Sequence, residues 1–242
     1  MRVLVVGAGP GGAAAAIELA RAGVETLVVE RSRWPRAKTC GDGISPPGVV
    51  EARELGLDLS DKRPLPLGEI STPRGYRFSS GWRPETPWGA IVERIEFDAR
   101  LMALAVGAGA RFEDATTVRE IATGGDGPRA RLARGTATAM ERFDAIVLAE
   151  GATGGLGAKL GFGRHATRLV ALRGYTEALR PLDPAFGLYF DRDVSPGYGW
   201  VFPLDERRAN VGVLVDERAV HRRGGDLRGI LEAWRTASPA AT

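Results

Sequence analysis

Cysteine, histidine and lysine are nearly absent from this chain of 242 residues. A single cysteine, Cys40, excludes an internal disulfide and fits a reducing compartment. The two histidines, His165 and His221, lie far apart with no second ligand at metal spacing, so no metal centre is expected. Lys38, Lys62 and Lys159 are the only lysines; arginine supplies the remaining 33 − 3 = 30 basic side chains. These are scattered rather than clustered, and the net charge is only +3, so no nucleic-acid-binding stripe is expected despite a pI near 9.3. No uninterrupted apolar run is long enough to span a bilayer. The apolar start at Val3–Val6 breaks at once into Gly7-Ala8-Gly9-Pro10-Gly11-Gly12 and then meets Glu18 and Arg21, so no signal peptide is expected. No Ser-His-Asp set or pair of catalytic carboxylates presents itself, which removes the hydrolase readings. The expected location is the cytoplasm, with peripheral contact at a membrane compatible with it.

What is present is an ordinary globular composition, 44% hydrophobic and 26% charged, with enough length for one large domain or two modest ones. Val3–Val6 and Thr26–Glu30 predict buried strands around a helix over Gly12–Ala22, with Gly23 as its stop. A long Arg-, Pro- and Gly-rich loop follows from Arg31 to Pro47. Further on, a helix is predicted over Gly48–Leu55 and a hairpin over Gly68–Thr72 and Arg74–Phe78, joined near Pro73. A strand over Ala90–Glu93 precedes an amphipathic helix over Ile95–Gly107. Strands at Thr116–Ile121, Ala130–Ala133 and Thr136–Phe143 predict a meander, and Ala145–Ala149 a further buried strand. From Gly163 the pattern becomes one of alternating strands, Leu169–Glu177, Gly187–Phe190, Trp200–Pro203 and Asn210–Val215, expected to pair antiparallel. Asp226 is placed to cap a last helix through Trp234.

Gly7-x-Gly9-x-x-Gly12 lies between a predicted strand and helix, the setting that gives this motif meaning. The first glycine permits the tight turn, the second lets backbone approach a pyrophosphate, and the third lets helix and strand pack closely. The helix N-terminus, with Pro10 and Gly11, presents unpaired N–H groups to phosphate. Glu30 ends the second strand 18 positions after Gly12, where a carboxylate accepts hydrogen bonds from a ribose diol and repels a 2′-phosphate. An NAD-binding dehydrogenase domain shares these features. The long loop with Arg36, Lys38 and Cys40-Gly41-Asp42-Gly43, and the late return of a buried strand into Glu150-Gly151, point to FAD instead.

The stretch Arg31–Pro46, with its Cys40-Gly41-Asp42-Gly43 core, resembles the flavin loop of the geranylgeranyl reductase family, within the flavoproteins of the p-hydroxybenzoate hydroxylase fold. Pro196-Gly197-Tyr198-Gly199-Trp200-Val201-Phe202-Pro203 is similar to that family's P-x-Y-x-W-x-F-P segment, and Ala209-Asn210-Val211-Gly212-Val213 to the strand after it. Glu93-Arg94 with Phe97-Asp98 and Leu101 matches the helix whose start contacts the ribityl side of the flavin. The resemblance covers essentially the whole chain. It implies an α/β fold: a Rossmann-like FAD-binding domain (parallel sheet with β-meander, residues 1–65 and 88–162) plus a mostly antiparallel β substrate domain (residues 66–87 and 163–242), incomplete at the C-terminus.

The same resemblance implies FAD-dependent saturation of carbon–carbon double bonds in polyprenyl chains of lipids or quinones. It places Gly7, Gly9, Pro10, Gly11, Gly12, Glu30, Arg31, Arg36, Lys38, Cys40, Gly41, Asp42, Gly43, Arg94, Glu150 and Gly151 against the cofactor. Cys40 would face the flavin ring as a candidate proton source, and Tyr198 and Trp200 would line the isoprenoid cavity. Only one glycine motif is present, so NAD(P)H or a reduced ferredoxin-like protein would serve as a transient electron donor. Two departures stand out. Glu150 replaces the family's Asp in the Ala-Asp-Gly turn, and the later strand ending in Gly-Asp is not found, since Gly225-Asp226 reads as a helix cap. Weak or absent FAD binding and self-association through an unfinished apolar edge are the expected consequences. Two other functions stay open: a flavin monooxygenase or halogenase on the same fold, although the halogenase Trp-x-Trp-x-Ile-Pro signature is only partly echoed by Tyr198–Pro203 and halogenases lack the Cys-Gly-Asp-Gly loop, and a non-catalytic remnant.

Overall fold

The computed structural model describes residues 1–65, 67–72, 74–81, 88–163, 169–182 and 185–238, so His165 and Pro73 lie outside the described residues. The chain divides into two compact units. One comprises Met1–Ala37, Leu55–Leu57 and Ile95–Ala166; the other comprises Lys38–Glu54, Asp58–Arg94 and Thr167–Thr242. By contacts, then, residues 38–54, 58–65 and 88–94 group with the second unit rather than with the FAD-binding part expected from sequence. The reason is pairing: Gly43–Ile44, Gly89–Ile91 and Pro64–Leu65 form a small antiparallel sheet of their own.

The first unit begins with β1 (Arg2–Val6), α1 (Pro10–Arg21) and β2 (Glu25–Val29). β1 and β2 run parallel, with Ala145–Leu148 on the far side of β1 and Arg111–Glu113 beside β2. Runs of Val and Leu suit strands covered on both faces, and Val3, Leu4 and Val5 are almost fully buried. Ala13 and Ala16 of α1 are buried as well, small side chains that allow close packing, and Ile17 is buried beside them. The helix ends in a Schellman pair, Gly23 N–H to Ala20 C=O at 2.9 Å and Val24 N–H to Leu19 C=O at 3.0 Å. The meander, Thr116–Ala122, Arg129–Arg134 and Ala137–Arg142, is antiparallel. Its Val118, Ala130 and Leu132, with Phe143, join Leu4, Val6, Leu27 and Val29 in one core, each large side chain contributing roughly 1.5–3 kcal/mol by burial. Arg111–Glu113 was not anticipated, because three residues reading Arg-Phe-Glu carry no strand period.

The second unit is built on a six-stranded sheet in the order Leu169–Glu177, Arg208–Asp216, Gly197–Pro203, Ala185–Tyr189, Leu67–Ser71, Arg77–Gly81. The expected strands and hairpin are there, and all pairings are antiparallel except Ala185–Tyr189 with Leu67–Ser71, which is parallel. Side chains alternate across the sheet. Val201, Val211, Val213, Val215 and Tyr189 face the C-terminal helices Glu217–Arg222 and Leu227–Ala237, whose Val220, Ile230 and Trp234 complete that core. Both helices are capped by aspartate: Asp216 accepts from Ala219 N–H at 3.1 Å and Asp226 from Gly229 N–H at 2.8 Å. Gly225-Asp226 is thus a cap, as read from sequence. The opposite face carries Phe78, Ile70, Leu188, Trp200 and Gly212 in register, flanked by Phe186, Phe202 and Asn210 on one side and Tyr198 and Leu214 on the other.

Candidate functional site

In the first unit the glycines divide into two kinds. Gly7 has φ +106°, and a Cβ there would lie 2.4 Å from the Ala149 carbonyl oxygen. A Cβ on Gly12 would lie 1.9 Å from the Gly7 carbonyl oxygen, so the strand–helix approach requires both. Gly9 and Gly11 meet no such limit. A Cβ on Gly9 has only the Arg36 Nη2 tip near it, at 3.8 Å, and one on Gly11 has nothing within 4 Å. The protein's own packing leaves space over the start of α1, where Gly9 is the N-cap and Pro10 the first helical residue. That is the open cradle a pyrophosphate requires.

Glu30 follows β2 directly and is 6% exposed. Its Oε2 accepts from the Ala8 amide at 3.2 Å and Arg36 Nε at 3.3 Å, and its Oε1 from the Ser32 amide at 3.0 Å. Burial pushes this carboxyl up, but the Ser32 and Ala8 amides and the Arg36 guanidinium outweigh it and hold it below the ordinary glutamate range. Oε1 keeps a second acceptor position. Arg36 is fixed from its other side by Asp98 Oδ2, 2.6 Å from Nη1, and lies 5.2 Å from the centre of the Trp34 ring. The guanidinium is therefore preset beside Gly9 rather than free in solvent. Arg31 reaches Thr153 Oγ1 at 3.2 Å. Glu150 turns toward the short helix Leu156–Lys159, accepting from the amides of Gly155, Leu156 and Gly157 at 2.9, 3.0 and 2.8 Å. Its longer side chain thus serves as a helix cap, and Gly151 beside it has φ +73°.

The second unit holds the remaining candidates. Lys38 and Cys40 are half-buried at the start of the Cys-Gly-Asp-Gly turn. Asp42 is 1% exposed, with φ +66°, a conformation aspartate tolerates better than most residues. Its carboxylate is turned inward. Oδ2 accepts from Asn210 Nδ2 at 2.6 Å and from the Tyr175 hydroxyl at 2.8 Å, and Oδ1 accepts from the Arg94 amide at 3.1 Å. Asp42 thus anchors the turn from inside. Gly41 and Gly43 lie against a ring of the protein itself: Cβ atoms there would be 2.7 and 3.0 Å from Phe202 Cε2.

Tyr198, Trp200 and Phe202 project from one face of their strand, with successive ring centres 6.3 and 6.4 Å apart. Trp200 is 5% exposed and donates from Nε1 to Asn210 Oδ1 at 3.0 Å. Burial and the neighbouring Cys40 raise the Tyr198 hydroxyl's pKa above its usual value, so Oη keeps its proton at neutral pH. Beyond Tyr198 lies an apolar pocket of about 510 Å³ lined by Leu169, Phe190, Pro196, Tyr198 and Leu214 among others. A larger cavity of about 750 Å³ opens on the opposite face, its wall mixing Arg77, Glu69, Arg180 and Arg235 with Val201 and Val211. The sheet separates it from the Cys40 turn, so size alone does not make it the reaction site.

Asn210 and Tyr175 escaped notice as site residues in the sequence. The signal for Asn210 was compositional: it is the only asparagine in a chain without glutamine, set in an apolar strand. Tyr175 offered none.

A parallel βαβ unit with an open glycine cradle and a terminal carboxylate defines a dinucleotide-binding unit. The family described as FAD binding domain matches residues 1–206, and the chain belongs to this family of FAD-binding oxidoreductases. It is 36% identical over 245 residues to menaquinone reductase of Mycobacterium tuberculosis, covering 93% of this chain and 57% of that protein. It is 32% identical over 231 residues to digeranylgeranylglycerophospholipid reductase 1 of Methanopyrus kandleri, covering 88% and 57%. A solved geranylgeranyl bacteriochlorophyll reductase-like protein of Thermoplasma acidophilum matches with a TM-score of 0.85 at 25% identity, over 99% of this chain and 62% of that one. The chain therefore spans somewhat more than half the length of the curated relatives it matches. No helix among the described residues is long and apolar enough to cross a membrane, and none of them form a group of three or more potential metal ligands.

Proposed function

We propose that this chain carries the FAD- and substrate-binding parts of a reductase that saturates carbon–carbon double bonds in a polyprenyl lipid or quinone. The observation that carries this reading is the aromatic sheet face, Tyr198-x-Trp200-x-Phe202, with the Cys40–Gly43 turn seated on Phe202. Such a face offers an unsaturated hydrocarbon chain a flat apolar wall and few competing hydrogen bonds. The reductase names of the relatives in Mycobacterium tuberculosis and Methanopyrus kandleri support it.

FAD, when bound and reduced by the electron donor, would supply the hydride that saturates the double bond. The amides of the first turn of α1 and the side-chain-free surface of Gly9 and Gly11 hold the pyrophosphate, with Arg36 adding positive charge beside them. Glu30 Oε1 takes a ribose hydroxyl. Lys38, Cys40, Gly41, Gly43 and Arg94 are assigned to the ribityl and ring end. Tyr198 and Trp200 orient the prenyl chain and keep water from it. Saturation consumes one proton besides the hydride, and two groups can hold it: Tyr198 Oη and Cys40 Sγ. NAD(P)H or a reduced ferredoxin-like protein resupplies electrons.

The test is anaerobic turnover of a menaquinone or geranylgeranyl lipid with FAD and dithionite, followed by mass spectrometry. The reading predicts a gain of two hydrogens per reduced bond in the prenyl chain. Substrate-dependent oxygen consumption with a gain of one oxygen would instead identify a monooxygenase.

A further inference from the structure

We propose that Asn210 is a positioning residue that fixes the height and orientation of Cys40 above the aromatic face. Its side chain is fully buried, and all three of its hydrogen-bonding directions toward this region are used. One Nδ2 hydrogen goes to the Cys40 carbonyl at 2.9 Å, the other to Asp42 Oδ2 at 2.6 Å, and Oδ1 accepts from Trp200 Nε1 at 3.0 Å. The amide can stand only one way round. Flipped, it would set its N–H groups against the Trp200 N–H and its oxygen against a carbonyl and a carboxylate.

The turn has other fastenings, but they hold Asp42 and, through its pairing with Ile91, Gly43. Val92 N–H donates to the Asp42 carbonyl at 2.9 Å, and Tyr175 and the Arg94 amide donate to its carboxylate. Asn210 is the one that also grips Cys40, and through Trp200 it ties that backbone to the ring at the centre of the aromatic row. Geometry at Cys40 is thus coupled to the wall that the substrate is proposed to contact. The functional consequence, placement of the thiol for proton transfer, rests on the reading of this turn as facing the flavin. The positioning itself does not.

Cys40 is the only cysteine, so its alkylation reports on the turn without background. The rate with iodoacetamide is measured on the full chain, relative to the same chain unfolded in guanidinium, alongside the thermal midpoint. N210D removes both donors and opposes two carboxylates. Alkylation should rise roughly tenfold or more, as expected when local opening loses a buried hydrogen bond. N210D/D42N restores the link to position 42 with donor and acceptor exchanged, but leaves the Cys40 carbonyl without a donor. Its midpoint should return toward the original value while alkylation stays fast. A merely structural role would restore both together, and that result would overturn the proposal. So would wild-type alkylation in folded N210D. Where N210D alone does not fold, the double variant decides. FAD titration of the same proteins is read separately: failure to bind would sink the flavin reading and leave the alkylation result standing.

Discussion

Gly9 and Gly12 belong to one motif, yet the structure assigns them opposite sensitivities. In Gly12→Ala the new methyl would sit 1.9 Å from the Gly7 carbonyl oxygen, a backbone atom that cannot swing aside, and 3.3 Å from Ala149 Cβ. β1 and α1 must separate, and overpacking of this kind costs about 1–3 kcal/mol or more. For a chain of this size that lowers the thermal midpoint by roughly 2–4 °C per kcal/mol. In Gly9→Ala the nearest atom is the end of a flexible arginine at 3.8 Å, and the backbone at φ −78°, ψ −179° suits alanine. Its stability should change by less than about 1 kcal/mol, the scale of an altered N-cap. FAD affinity should respond in the other order: Gly9→Ala places a methyl where the pyrophosphate must approach, so binding weakens sharply while the fold persists. Thermal melting by circular dichroism and flavin fluorescence titration on both variants make the comparison. Equal destabilisation by the two substitutions would refute the reasoning, as would undiminished FAD binding by a folded Gly9→Ala.

Two further predictions concern the Cys-Gly-Asp-Gly turn of the second unit and the carboxylate after β2. Gly41→Ala should destabilise by about 1–3 kcal/mol because its methyl meets the Phe202 ring. Phe202→Leu should relieve part of that cost, and a thermal double-mutant cycle with no coupling would contradict the contact. For Glu30, the native pKa is depressed below its unfolded value, so its stabilisation is fully present above about pH 4.3 and is lost as pH falls through the lower native value. Glu30→Gln should therefore flatten the acid limb of stability against pH, measured by urea midpoints. An unchanged limb would show that the Ser32 and Ala8 amides and Arg36 do not act on it as described.

Much of the fold was legible because local signals agreed with tertiary packing. The run Val3–Val6, the glycine turn and Glu30 each carried their own reason. Leu169–Glu177 matched its strand end to end because its strand character lies in the residues themselves. Pairing partners were less accessible. The parallel contact between Ala185–Tyr189 and Leu67–Ser71 joins segments more than a hundred residues apart, and nothing local encodes its direction. The candidate site was read by residue type rather than by orientation. Asp42 stood out as a polar group in a cofactor loop, yet its carboxylate faces inward to Asn210 and Tyr175. Gly41 and Gly43 were attributed to a close approach by a flavin, while the closest ring in the chain is Phe202. Arg36 is marked in the sequence only by its place in the cofactor loop; its clamp between Glu30 and Asp98 depends on a helix more than sixty positions away.

The account's central claim is that these residues form an FAD site, and titration of the purified chain with FAD, followed by absorption and fluorescence, tests it most directly. The account predicts saturable quenching and a shifted flavin band, even where affinity is too low to survive desalting, with both weakened by Gly9→Ala. A folded chain that leaves the flavin spectrum unchanged at every FAD concentration would contradict it.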